Sequence, residues 1–557
     1  MDKSRFEEIE ELTKKLVGIP SINGTEGERE IGEFLYSYIR EIPYFKEHPE
    51  HLYMQELKDD RLKRKNVFAL VKGRAAALDG SGGNTILFHG HIDTVGVQDF
   101  GKLSENAFSP DTLMEKLREM DLPPEVKQDL ETGDYMFGRG ACDMKSGDAV
   151  FLVLLKEFAA VFEKLKGNLL FSFNPVEENA HTGIIRSLAF LNSLKEKEKL
   201  NYLMAINNDY ICPLYPGDTN RYVYTGAVGK ILPCFYIQGK ETHVGQCFEG
   251  VDASMLASIL IRNINENPAY SDGYEGEYTL PPSVLKVRDG KKWYNVQTAK
   301  DAFLYFNYFI HNASMEEILE QLVRAGKAAF EELEKTVDQR YREYCELAGI
   351  QYSPWKMEKK VYTYQELFEI VWNRTKKADR EELLAEIERI VQEDQKEGLD
   401  DREISAKVTS FLLRTAKITW PCIVIFFAPP YCPHNTLSGL AENEKKIKED
   451  LKKITDKTGE KFGEQYQILN FFPSLSDSSY LKLDDSPESI ECLVGNFPQQ
   501  KQIYPIPFEE IRKMNIPAVN YGCYGKDAHK WTERVYKPYS FGVLPELIRE
   551  TVTYYLM

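Results

Sequence analysis

The sequence predicts an α/β protein: a mostly parallel sheet with helices on both faces, into which a ferredoxin-like α+β domain with an extra helical segment is inserted. Three observations carry this expectation. Short apolar runs (NVFALVKG, NTILFHGHID, NLLFSFNPVEE, YLMAINND) each end in polar residues, as strands buried on both faces do when a site forms at their carboxyl ends. Helical periodicity fills the gaps between them, as in AVFLVLLKEFAAVFEKL after Lys145. The texture then changes near Tyr222 and changes back at PCIVIFFAPPY.

In chain order, an amphipathic helix from Met1 leads into the loop GIPSINGTEGE and a second helix through EIGEFLYSYIREI. The four apolar runs follow. From Tyr222, RYVYTGAVGKILPCFYIQGK, VDASMLASILIRNI, PSVLKVRDG, DAFLYFNYFIH and a helix from Met315 to about Lys335 read as a β-α-β-β-α unit. Charged helical segments fill 336–418. The expected domains are therefore 1–221 with 419–557, and an inserted 222–418. At 557 residues the chain is too long for one core, which agrees with this division.

Composition narrows the function. A formal charge of −17, spread along the chain, argues against nucleic acid and against an anionic membrane surface. No apolar stretch is long enough to span a bilayer, and charges stand at the start where a signal peptide has its apolar core. Nine scattered cysteines without a CxxC suggest neither a disulfide framework nor a thiolate zinc site. A cytoplasmic, reducing location is expected.

Several polar residues stand at these strand ends. His91 and Asp93 in HGHIDTV would let an imidazole face a metal while a carboxylate fixes its tautomer. Asp143, in the glycine-rich turn GRGACDMKSG, is placed either to bridge two cations or to cap the helix that follows. Glu177 and Glu178 in NPVEENAHTG point opposite ways on an extended segment, so one can bind metal while the other reaches an attacking water. His181 in the same loop reads as a surface or helix-start residue. Asp209 in AINNDY and His529 in YGCYGKDAHKWTE complete a set of oxygen and imidazole donors suited to zinc or a similar ion.

With these residues in hand, the chain resembles the M20 metallopeptidases over nearly its whole length. The likeness covers the opening loop, HGHIDTV, GRGACDMKSG, NPVEENAHTG, SLSDSSYL and IPAVNYGCYGKDAHKWTE, in that order. By resemblance, His91, Asp143 and Asp209 hold one zinc, while Asp143, Glu178 and His529 hold the other; cobalt or manganese would suit the same donors. Asp93 steadies His91 and Glu177 is the general base. The insert is the family's lid or dimerisation domain, and GKETHVGQCFEGVDA supplies a histidine, His243, to the oxyanion. The implied reaction is hydrolysis of a small amide or peptide: an acylated amino acid, a dipeptide or an arginine-related amide.

Two departures stand out. AFLYFNYF carries Asn307 and Phe309 where the family's lid commonly places an arginine for a substrate carboxylate. The excess length at 336–418 resembles a bacterial subgroup associated with arginine utilisation. A catalytically silent binding or regulatory protein is the competing class. Retention of Glu177 beside a full ligand set argues against it, since a binder needs no free base next to a metal-held water.

Overall fold

The computed structural model describes residues 2–74, 83–439 and 441–557. The chain divides into two compact units, Met1–Val228 with His434–Leu483 and Pro507–Met557, and Gly229–Pro433 with Asp484–Ile506.

The first unit is built on an eight-stranded sheet. In spatial order its strands are Leu52–Glu56, Lys65–Lys72, Asn168–Asn174, Asn84–His91, Asn201–Asn207, Ala518–Asn520, Arg221–Tyr224 and Tyr466–Leu469. The four strands from Asn168–Asn174 to Ala518–Asn520 run parallel to one another. Strand alternation sorts the helices to two faces. Phe88 pairs in register with Phe171, and their rings stack at 4.5 Å against Phe151 of helix Lys145–Ala160. One residue on, Ser172 points the other way and pairs with Phe68, whose ring stacks at 4.5 Å on Phe190 of helix Thr182–Glu198. Each fully buried phenylalanine contributes about 1.5–3 kcal/mol. Helix Lys145–Ala160 is apolar nearly all round because helix Lys3–Val17 covers its outer side.

The second unit holds a five-stranded sheet in the order Ser283–Asp289, Asp301–Ile310, Gly229–Gln238, Cys422–Cys432, Lys360–Thr363. Numbered along the chain, the first four of these strands stand in the order 2-3-1-4, every neighbour antiparallel, with helices Ala253–Ile264 and Met315–Ala348 as the crossovers. That is the complete ferredoxin-like βαββαβ arrangement.

These units differ from the sequence-based ranges in several places, one being that Asp484–Ile506, expected with the first unit, belongs to the second. PCIVIFFAPPY does not return to the first sheet: Cys422–Cys432 pairs with Gly229–Gln238 and is the fourth strand of the second sheet. Arg221–Tyr224 stays in the first sheet, paired with Tyr466–Leu469, so the second unit begins at Gly229 rather than Tyr222. The helix expected to stop near Lys335 continues to Ala348, from a Ser314–Glu317 capping box to Gly349 at φ 66°. The segment beyond contributes the edge strand Lys360–Thr363 and helices Tyr364–Arg374, Arg380–Lys396 and Asp401–Thr415. Among the described residues no helix is long and apolar enough to cross a membrane, and the nine cysteines are free.

Candidate metal centre

The carboxyl ends of the parallel strands bring the polar residues together. His91 ends Asn84–His91, Glu177 lies three residues beyond Asn168–Asn174, and Asp209 two beyond Asn201–Asn207. Asp143 stands just ahead of helix Lys145–Ala160, and His529 sits in the turn between Gly525–Lys526 and Arg534–Tyr536. All of them belong to the first unit.

Asp143 is the centre of this arrangement. Its Oδ1 lies 2.9 Å from His91 Nε2 and its Oδ2 lies 3.1 Å from His529 Nε2, so each oxygen faces a different imidazole. It is not the helix cap: the N-cap position falls on Met144, with no side-chain bond to the helix. His529 Nε2 also lies 3.0 Å from Glu178 Oε1. Two overlapping groups result, His91–Asp143–Asp209 and Asp143–Glu178–His529, each with ligand atoms within 4.8 Å of one another.

Orientation comes from a surrounding set of hydrogen bonds. His91 Nδ1–H donates to the backbone carbonyl of Asp93 at 3.2 Å, which turns Nε2 toward Asp143. The Asp93 carboxylate, 3.7 Å from the same ring nitrogen, is engaged elsewhere: it accepts the amides of Glu177 at 3.0 Å and Glu178 at 3.1 Å. Asn23 Nδ2 donates to it at 3.1 Å. Asp93 thus clamps the double-glutamate segment where Val176 is held at φ 72°, a conformation a β-branched residue enters only at a cost of about 1–3 kcal/mol. Glu533 does the same for the Asp143 turn, accepting the amides of Cys142 at 3.1 Å and Asp143 at 3.2 Å. Arg139, itself buried, pairs with Glu533 at 2.7 Å.

The electrostatics suit cations. Burial, then the neighbouring Asp143 carboxylate, pushes Asp209 up to about 8, and the same two causes raise Glu178. Burial works against a charged His529, yet its hydrogen bonds to Asp143 and Glu178 outweigh it and raise the ring to about 11. Three buried carboxylates this close are costly unless positive charge lies among them. Oxygen and imidazole donors without a thiolate fit zinc or a similar divalent ion.

Glu177 belongs to neither group but meets His181 and Asp477 in a third set of buried ligand atoms within 4.8 Å of one another. Its Oε2 is 4.0 Å from His91 Nε2 and its Oε1 is 3.8 Å from His181 Nδ1. Burial, the largest cause, raises its carboxyl well above the ordinary range. His181 starts helix Thr182–Glu198, as one of the two sequence readings had it, but is fully buried, not at the surface. Its Nδ1 donates to Asp477 Oδ1 at 2.9 Å. His181, Asp477 and Glu533 are the site residues that sequence reasoning missed. SLSDSSYL and KWTE contain two of them, but nothing local marks those acids among their neighbours. His243 lies in the second unit, where its Nδ1 accepts the Gly245 amide at 3.0 Å.

Comparison with known proteins bears on this geometry. Residues 87–495 match the family described as Peptidase family M20/M25/M40. Protein RocB of Bacillus subtilis is 41% identical over 552 residues, covering 99% of this chain and 95% of that protein. YqjN of the same organism is 32% identical over 551 residues, covering 98% and 96%. Among solved structures, a tripeptidase from Staphylococcus aureus aligns with TM-score 0.52 and 14% identity over 99% of this chain and 98% of its own. The aminopeptidase PepT from Bacillus cereus aligns with TM-score 0.51 and 13% identity over 98% of each. At these identities the structural likeness is one of fold.

Proposed function

Because the chain belongs to peptidase family M20/M25/M40 and to its RocB-like subgroup, we propose that it hydrolyses the amide bond of a small substrate at the cluster around Asp143. The substrate class is an acylated amino acid, a dipeptide or an arginine-related amide. One observation carries the reading: Asp143 offers one oxygen to His91 and the other to His529, with Glu177 close by but outside both groups.

In this proposal His91, Asp143 and Asp209 hold one divalent ion and Asp143, Glu178 and His529 hold a second, with zinc expected and cobalt or manganese open to the same donors. When bound, such ions polarise the scissile carbonyl and make the attacking water more acidic. Glu177 takes the proton from that water at its carboxylate and returns it to the leaving nitrogen. Burial raises its carboxyl, which makes the ionised group a stronger proton acceptor. Asp93 holds Glu177 and Glu178 in register through their amides. His243 is assigned the stabilisation of the oxyanion. With Nδ1 accepting from Gly245, its neutral ring carries the proton on Nε2 and can donate from there.

The run AFLYFNYF, with Asn307 and Phe309 and no arginine, supports a substrate whose recognition does not need a guanidinium on strand Asp301–Ile310. The test is a panel of N-acyl amino acids, dipeptides and arginine amides, run before and after chelation. Turnover should vanish with the chelator and return with added zinc. Absence of turnover across the panel by the zinc-loaded protein would favour a silent binder.

A further inference from the structure

Helix Pro43–Glu47 runs into the single 3₁₀ turn Pro49–His51, and the sequence there is HPEH. His48 is the N-cap of this turn and His51 its last residue. His48 and His51 are three apart, and their rings stack at 5.4 Å with an interplanar angle of 22°. Glu50, between them in sequence, brings Oε1 to 3.5 Å from His48 Nδ1 and 3.8 Å from His51 Nε2. One ligand atom from each residue lies within 4.8 Å of the other two.

We propose that His48, Glu50 and His51 form a further metal site for a divalent late first-row ion such as Zn²⁺, sharing no residue with the cluster around Asp143. Donors held about 2.0–2.1 Å from a tetrahedral ion are roughly 3.3 Å apart, so the Glu50 separations of 3.5 and 3.8 Å close with shifts of a few tenths of an ångström. Two imidazoles and one carboxylate, with a remaining position open to water, are the donor set such ions favour over magnesium or calcium.

The surroundings already orient the ring that matters most. Tyr44 Oη lies 2.9 Å from His51 Nδ1 and accepts the Lys72 amide at 2.9 Å, which anchors the phenol to the sheet. His51 is therefore held at Nδ1, and Nε2 is the nitrogen on the side of Glu50. Packing of the rings on Tyr44 and Phe162 explains the stack but not the position of the Glu50 oxygen against both nitrogens.

The experiment is zinc counting on the full chain, by mass spectrometry after equilibrium dialysis, for wild type, His48→Gln and Glu50→Gln. Both residues are solvent-accessible, with side chains 36% and 61% exposed, so the variants should fold like wild type. Each variant should hold one zinc fewer per chain than wild type. Asp143→Ala should keep this zinc, whatever its effect on the other cluster, so failure here and failure of the hydrolase reading give different patterns. Equal counts in wild type and both variants would overturn the proposal.

Discussion

Glu177→Gln is expected to lower kcat by about 10²–10⁴-fold while the protein keeps its full complement of zinc. General acid–base catalysis by one positioned side chain contributes about that factor, or about 3–5 kcal/mol of barrier. The amide is nearly isosteric with the carboxylate, so the backbone N–H of residue 177 can still donate to Asp93 as it does at 3.0 Å. What it loses is the ability to take a proton from water. KM should change little, because the account gives Glu177 no part in holding substrate. The measurement is kcat, KM and bound zinc on the same preparation. Loss of zinc together with activity would make Glu177 a ligand and remove the base from the account.

Asp143→Ala should have the largest effect on metal content. The side chain serves both groups, so removing it leaves each with two protein ligands where three are the usual minimum for a catalytic site. Removing an outer partner of a metal ligand weakens binding by about 10–100-fold; loss of a ligand shared by two sites should exceed that and leave turnover undetectable. Were Asp143 only a structural part of the turn ahead of helix Lys145–Ala160, the same substitution would change stability and leave zinc and turnover in place. Zinc analysis beside a denaturation curve separates these outcomes.

Much of the first sheet is legible in the sequence because its buried strands end abruptly in polar residues. NTILFHGHID is an example: the apolar run places His91 at the end of its strand without knowledge of any partner. The same signal misleads at PCIVIFFAPPY. A strand buried on both faces reads alike in either sheet, and only its pairing with Gly229–Gln238 assigns Cys422–Cys432 to the second. Helix Met315–Ala348 overran its expected end because no glycine or proline follows Lys335 before Gly349.

Within the site, the legible residues are those whose type and local position both point to chemistry, such as Asp143 in its glycine-rich turn. The illegible ones act through distant partners. His181 looks like a loop residue until Asp477, 296 positions later, meets its ring. Glu533 supports the Asp143 turn from 390 positions away. Even for Asp93 the sequence suggests the partner but not the contact. Its backbone carbonyl holds His91, and its carboxylate is spent on the Glu177 and Glu178 amides.

The proposed hydrolysis depends on Asp143 sharing its two oxygens between two ions. Anomalous diffraction at the zinc edge, from crystals of the zinc-loaded protein, tests this most directly. Two peaks are expected on either side of the Asp143 carboxylate, one reached by His91 and Asp209, the other by Glu178 and His529. A single peak there, or metal bound with Asp143 uninvolved, would contradict the account.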